Sequence, residues 1–308
     1  MKKICSITST SFSKNKYLIN EVKKIRGIDF RFNKTGKKLD KNNLINFLRN
    51  SDYAIVGLEK INSDILKYCP KLKIISKYGV GIDNIDFKSA DAHKVKIVYS
   101  KGTNKRSVAE LTLALSISLF RNIKNNCENL KNGIWKINIG TEISGKTIGI
   151  IGLGNVGTDL VRLLKPFKCK ILVNDIVNIK KKCKKFKLKF STKKKIFKVS
   201  DLITIHTPLT NLTKNLVDKS YLKLMKKSSF LINTSRGGIV NEQDLYNYLK
   251  NKKILGAALD VYQNEPYYKK KLLRLKNIIC TPHIGGSTAE SIKNMGLAAI
   301  KNLKNSIN

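Results

Sequence analysis

Three short segments carry side chains of types that could do chemistry together: NTSRGGIVNE (233–242) with Arg236, ALDVYQNEP (258–266) with Glu265, and TPHIGGST (281–288) with His283. All lie downstream of a glycine-rich turn, GLGNVG (152–157). A guanidinium, a carboxylate and an imidazole are the parts that hydride transfer to a 2-keto acid requires from a protein. Imidazole titrates near neutral pH and suits the proton. A carboxylate beside it can fix its tautomer and raise its pKa. A guanidinium can hold a substrate carboxylate bidentately and polarise the carbonyl as charge builds. Each residue alone has a plainer reading: a surface cation for Arg236, an ordinary loop acid before Pro266 for Glu265, a structural imidazole for His283. The chain has only three histidines. His93 lies in a Lys-flanked helix–strand region and reads as exposed, and His206 ends DLITIH and is not read as a catalyst.

The elements that would position these groups follow an α/β pattern, with strand-like apolar runs alternating with helical stretches. Segments 3–8, 29–33, 53–57, 72–77 and 95–100 read as strands, with helices near 14–26, 40–50, 62–68 and 84–92. Val108, Leu111, Leu115, Leu119 and Ile123 recur at spacings of three and four and predict one long helix over 105–131. A second series predicts six strands at 147–151, 170–174, 202–206, 229–233, 255–259 and 277–280, then a terminal helix over 291–305. The expected fold class is α/β, two Rossmann/flavodoxin-like domains with doubly wound parallel sheets. The substrate-binding domain would be discontinuous, residues 1–100 plus 285–308, around a nucleotide domain of 101–284. The Lys-rich stretch 180–198 reads as a solvated charged face or loop.

TIGIIGLGNVGTDLVRLL places Gly152, Gly154 and Gly157 in G-x-G-x-x-G register between an apolar strand and an amphipathic helix. That context turns a common glycine pattern into a dinucleotide fingerprint. Gly152 permits the tight turn, Gly154 lets the pyrophosphate approach the backbone, and Gly157 allows close helix–strand packing. The next strand-like run ends at Asp175, 23 positions after Gly152, where an acid binds the ribose hydroxyls. Asp175 would repel a 2′-phosphate and so favours NAD, while Lys180 to Lys182 keep NADP open.

With these segments in order, the chain resembles the D-isomer-specific 2-hydroxyacid dehydrogenases of the phosphoglycerate dehydrogenase-like branch. The similarity also includes KYGVGIDNID (77–86), VAELTLAL (108–115) and TPLT (207–210), and runs over nearly the whole chain. It implies catalysis by Arg236, Glu265 and His283. It implies cofactor contacts from Asn155 and Val156 at the pyrophosphate, from Thr207, Thr234, Ser235 and Asp260, and from Gly285 and Gly286 near the nicotinamide. It implies Val80 and Gly81 at the substrate carboxylate, and Lys77 at a position that holds a substrate phosphate. A second phosphate-holding position falls at Gly57, where the charge is absent. D-3-phosphoglycerate, as in serine biosynthesis, is therefore weighed against glyoxylate, hydroxypyruvate or another small 2-keto acid. The chain ends at Asn308 after the terminal helix, so the regulatory C-terminal domain of some members is not expected. The family implies a homodimer formed through the nucleotide domain.

The net charge of +40 invites a polyanion-binding reading. Only 8 of the 61 basic residues are arginine, and Asn and Ile are abundant, which points to an AT-rich genome enriching surface lysine. Nucleic-acid readers favour Arg for its planar fork. An NAD-sensing, corepressor-like binding protein is the competing class. The six cysteines form no CxxC pair, so they read as reduced, mostly buried thiols, with no metal site. No secretory signal or membrane span is read, which places the protein in the cytoplasm.

Overall fold

The computed structural model describes residues 2–268 and 270–307. It divides into two compact units, Met1–Asn104 with Ser287–Asn308, and Lys105–Gly286.

The first unit is built on a five-stranded parallel sheet: β1 (Lys3–Ile7), β2 (Ile28–Phe32), β3 (Tyr53–Val56), β4 (Ile74–Lys77) and β5 (Lys96–Val98), in the order β2-β1-β3-β4-β5. This is the flavodoxin-like order. Strands β3 and β4 are buried along their whole length, as expected of parallel strands covered by helices on both faces. The terminal helix, Ala289–Ile307, belongs to this unit and buries Ala299 and Leu303 against Cys5, Ile7 and Ile55. Gly296 makes this packing possible. A Cβ there would lie 2.3 Å from Leu18 Cδ1 of helix Lys16–Lys23.

The second unit carries seven parallel strands: β6 (Thr147–Ile151), β7 (Lys170–Asn174), β8 (Lys189–Phe190), β9 (Leu202–Ile205), β10 (Phe230–Asn233), β11 (Gly256–Leu259) and β12 (Ile278–Cys280). Their order is β12-β11-β10-β9-β6-β7-β8. The order reverses between β6 and β9, and ligands of doubly wound sheets bind beyond the carboxyl ends at such a switch.

Three expectations are corrected. The sheet has seven strands rather than six, because the Lys-rich stretch holds helix Lys180–Phe186, β8 and helix Lys193–Val199. Ile179, Ile196 and Phe197 are buried and anchor it, while most of its lysines are exposed, so it is a charged face and not a loop. The helix expected over 105–131 is two, Lys105–Phe120 and Ile123–Lys131. Asn122, at φ +53°, breaks it in the left-handed conformation that asparagine tolerates. Of the cysteines only Cys5 and Cys69 are buried, and Cys127 is exposed. No helix among the described residues is long and apolar enough to cross a membrane.

Candidate active site

The loops leaving the carboxyl ends of the second unit's strands hold the residues singled out in that half of the chain. The glycine turn follows β6, Asp175 follows β7, His206 and Thr207 follow β9, Thr234 to Gly238 follow β10, Asp260 to Glu265 follow β11, and Thr281 to Gly286 follow β12. A parallel sheet brings together loops from distant parts of a sequence whenever their strands are neighbours.

At the glycine turn, Gly152 has φ +96°, and a Cβ there would lie 2.5 Å from the His206 carbonyl oxygen. A Cβ on Gly157 would lie 2.2 Å from the Gly152 carbonyl oxygen, whereas Gly154 faces open space. Gly154 caps helix Asn155–Leu164, so the first-turn N–H groups of Asn155 and Val156 point into that opening. The Asp175 carboxylate accepts from Leu153 N at 2.7 Å and Val177 N at 3.2 Å. Beside Gly152, the Thr207 hydroxyl and His206 Nδ1 are buried with no hydrogen-bond partner among the described residues. An open glycine, a capped helix start, an anchored acid and unsatisfied polar atoms fit a dinucleotide. His206 Nε2 lies 2.9 Å from Thr204 Oγ1, and burial pushes its pKa down to about 3, so the ring is neutral.

Arg236 sits in a turn held by Asn233. The Asn233 Oδ1 accepts from Ser235 N at 3.1 Å and Ser235 Oγ at 2.8 Å, and its Nδ2 donates to the Arg236 carbonyl at 2.9 Å. Thr234 Oγ1 is 2.9 Å from Thr112 Oγ1. A Cβ on Gly237 would lie 1.8 Å from the Tyr262 carbonyl oxygen, so only glycine lets this turn seat against the loop that carries Glu265. That loop is fixed in turn by the buried Glu242, whose Oε1 accepts from Gln263 N at 2.6 Å.

Glu265 accepts from Tyr262 N at 3.0 Å through Oε1, and its Oε2 lies 2.7 Å from His283 Nδ1. The side chains keep 36% and 41% of their surface exposed, so the pair is reachable from solvent. The hydrogen bond that His283 makes to the Glu265 carboxylate raises the His283 pKa above its usual 6.5, against burial and the Arg236 charge. Burial pushes the Glu265 pKa up, but the bonds from His283 and Tyr262 N–H and the charges of His283 and Arg236 win, and the net shift is down.

His283 has φ +55°, a strained conformation for a non-glycine residue, and Asp260 holds it there. Asp260 is buried, and its Oδ1 accepts from Thr281 Oγ1 at 2.6 Å and Ile284 N at 2.7 Å, and its Oδ2 from Gly285 N at 2.8 Å. Both flanks of His283 are thus tied to one carboxylate. Ser107 Oγ donates to the Gly285 carbonyl at 2.6 Å. Sequence reading placed Asp260 only as a cofactor contact and passed over Asn233, Glu242 and Ser107. A polar residue at the end of an apolar strand run, as Asn233 is in FLIN, was the available signal.

Lys77, Val80 and Gly81 lie in the first unit, at and just beyond the end of β4. Lys77 is buried and its Nζ donates to the Gly57 carbonyl and, at 3.3 Å, to that of Tyr78. Val80 and Gly81 are half-buried. His93, read as exposed, is half-buried, with Nδ1 2.9 Å from the Ser89 carbonyl oxygen.

Residues 113–285 match the model of the D-isomer specific 2-hydroxyacid dehydrogenase NAD-binding domain. The chain belongs to this family. It is 34% identical to hydroxypyruvate reductase of Thermotoga maritima over 87% of this chain and 89% of that one. It is 36% identical to D-3-phosphoglycerate dehydrogenase of Methanocaldococcus jannaschii over 86% of this chain, which spans only 52% of that longer protein. A solved acyclic imino acid reductase, in complex with NADPH and D-arginine, superposes with a TM-score of 0.87 at 27% identity, covering 99% of this chain and 97% of that one. The chain is an NAD-dependent oxidoreductase of the D-2-hydroxyacid dehydrogenases, and the second unit is its NAD-binding domain.

Proposed function

We propose that this dehydrogenase interconverts a small, unphosphorylated D-2-hydroxy acid and its 2-keto acid, with hydroxypyruvate or glyoxylate as the keto form. The observation that carries the reading is the 2.7 Å His283–Glu265 contact, seated beside the Arg236 turn on the NAD-binding domain. Bound NAD(H) supplies or accepts the hydride. Glu265 occupies Nδ1 of His283, which leaves Nε2 as the nitrogen that gives a proton to the developing alkoxide and takes it back in oxidation. Arg236 anchors the substrate carboxylate and stabilises charge building on the carbonyl oxygen. Val80 and Gly81 are proposed to offer backbone amides to a substrate carboxylate, and Thr234 and Ser235 to line the cofactor.

The case against a phosphorylated substrate rests on Lys77 and Gly57. The ammonium expected to hold a phosphate is buried and donates to the Gly57 carbonyl. D-3-phosphoglycerate is the second reading, supported by the Methanocaldococcus relative. NADH absorbance with glyoxylate, hydroxypyruvate and 3-phosphohydroxypyruvate separates the two. Hydroxypyruvate or glyoxylate should give the highest kcat/KM. A clear preference for the phosphorylated acid would reverse the order, and no turnover on any of them would sink the enzyme reading.

The proton role has a signed pH consequence. Reduction needs imidazolium, so its kcat/KM should fall as pH rises through the His283 pKa, which lies above 6.5. Oxidation needs the neutral ring and should rise over the same window. Glu265→Gln removes the largest raising influence on His283, so both limbs should move to lower pH. An unmoved alkaline limb would break the coupling.

A homodimer in the cytoplasm completes the proposal. Trp135 is 86% exposed, and Ile137 and Ile139 beside it are 77% and 90% exposed, a run too apolar to stand in water singly. Sedimentation should give twice the 34.8 kDa chain mass. Trp135→Ser should move the equilibrium toward monomer, and a monomeric parent protein would end the idea.

A further inference from the structure

We infer that Lys182 serves the adenosine-ribose end of the cofactor site and admits a 2′-phosphate there, so that the enzyme uses NADP(H) as well as NAD(H). The inference rests on the assignment of the glycine turn to the dinucleotide. Lys182 belongs to the helix Lys180–Phe186, in the charged stretch that follows β7, and its Nζ donates to the Leu153 carbonyl at 2.8 Å. The N–H of the same Leu153 is taken by Asp175 Oδ2 at 2.7 Å. One residue of the fingerprint, between Gly152 and Gly154, is thus flanked by the ribose-binding carboxylate on one side and an ammonium on the other.

The sign of the local field decides what fits. Asp175 by itself rejects a 2′-phosphate, because it sets an anion against a group carrying close to two negative charges. Its two oxygens are already engaged by backbone N–H groups of Leu153 and Val177, which disperse part of its charge. Lys182 brings a compensating cation to the adjacent peptide, through the carbonyl of the same residue. An ammonium has three donors and Leu153 takes one, which leaves donors for phosphate oxygens. Asp175 is also the only acid between Asp159 and Asp201, against fifteen Lys and Arg in that stretch. The wider field is therefore attractive to a second phosphate, and Lys182 is a cation that touches the turn.

Two nucleotides that differ only in the group at issue provide the test: 5′-AMP and 2′,5′-ADP, titrated calorimetrically into the 308-residue protein. The parent protein should bind both. Lys182→Gln should weaken 2′,5′-ADP about fivefold more than 5′-AMP, the size of a solvent-exposed ion pair, and Lys182→Arg should restore the ratio. Lys184→Gln, which removes the same net charge from the same helix, should leave the ratio unchanged. Rising salt should weaken 2′,5′-ADP more than 5′-AMP in the parent and less so in Lys182→Gln. The KM for NADPH should rise in Lys182→Gln more than the KM for NADH. Equal losses on both nucleotides would make Lys182 a tether between helix and turn and overturn the inference. So would a parent protein that binds 5′-AMP but not 2′,5′-ADP. Failure to bind either nucleotide while NADH still binds would take the ribose assignment down with it.

Discussion

His283→Ala should lower kcat/KM for keto-acid reduction by about 10²- to 10⁴-fold, the range of a lost general acid, while NADH binding stays largely intact. The imidazole contacts Glu265 and not the glycine turn, so its loss removes the proposed proton donor and leaves the dinucleotide fingerprint standing. His283→Asn is the sharper variant. Asparagine accepts the φ of +55° that this loop imposes and retains hydrogen bonding, but it cannot carry a proton. Both variants should lose the alkaline limb of the pH profile. The measurement is steady-state kinetics across pH, paired with NADH fluorescence titration. Full turnover by either variant would remove His283 from the mechanism.

Arg236→Ala should be nearly as damaging. Two charge-assisted hydrogen bonds to the substrate carboxylate are worth roughly 3–6 kcal/mol when unmatched. At 1.36 kcal/mol per decade this is on the order of 10²-fold or more in kcat/KM. Raised KM and reduced kcat should appear together, since the role proposed for the guanidinium includes meeting charge that builds only during reaction. Arg236→Lys should recover little, because a point charge cannot reproduce the planar fork. The backbone of the turn should survive both changes, because Asn233 holds it through main-chain and Ser235 contacts. One secondary effect follows from charge: Arg236 opposes protonation of His283, so its removal should raise the histidine pKa. A variant with parental KM and kcat would show that another cation holds the carboxylate.

The polar residues that hold the site were far less legible in sequence than those proposed to act in it. Arg236, Glu265 and His283 stand out because their types are chemically conspicuous and their segments unusual. Asn233 and Glu242 are common residues whose significance lies only in what they touch. Asp260 stood out, but for a different reason: its carboxylate clamps the His283 loop at three points, a relation spanning 21 to 25 residues that no local pattern encodes. The break at Asn122 was hidden because the apolar spacing through Val108, Leu115 and Leu119 continues formally to Ile123. Only burial reveals that the spacing stops mattering there, since no residue of Ile123–Lys131 is buried. The Lys-rich stretch misled in the opposite direction. Its charge masked three small elements that Ile179, Ile196 and Phe197 fasten to the sheet.

By itself the amino-acid sequence determined what is local or periodic: the α/β alternation, most strands to within a residue or two, the glycine fingerprint and the chemical kinds of group at the candidate site. Period and turn chemistry act over neighbouring residues, so they can be read without knowing what lies across the fold. Tertiary structure alone decided distances and fields. It set His283 Nδ1 2.7 Å from Glu265, placed Lys182 and Asp175 on the two sides of Leu153, and turned the Lys77 ammonium to the Gly57 carbonyl. Electrostatic energy falls with separation in space and not along the chain. The charges that tune this site become neighbours only when parallel strands carry their loops to one edge of the sheet.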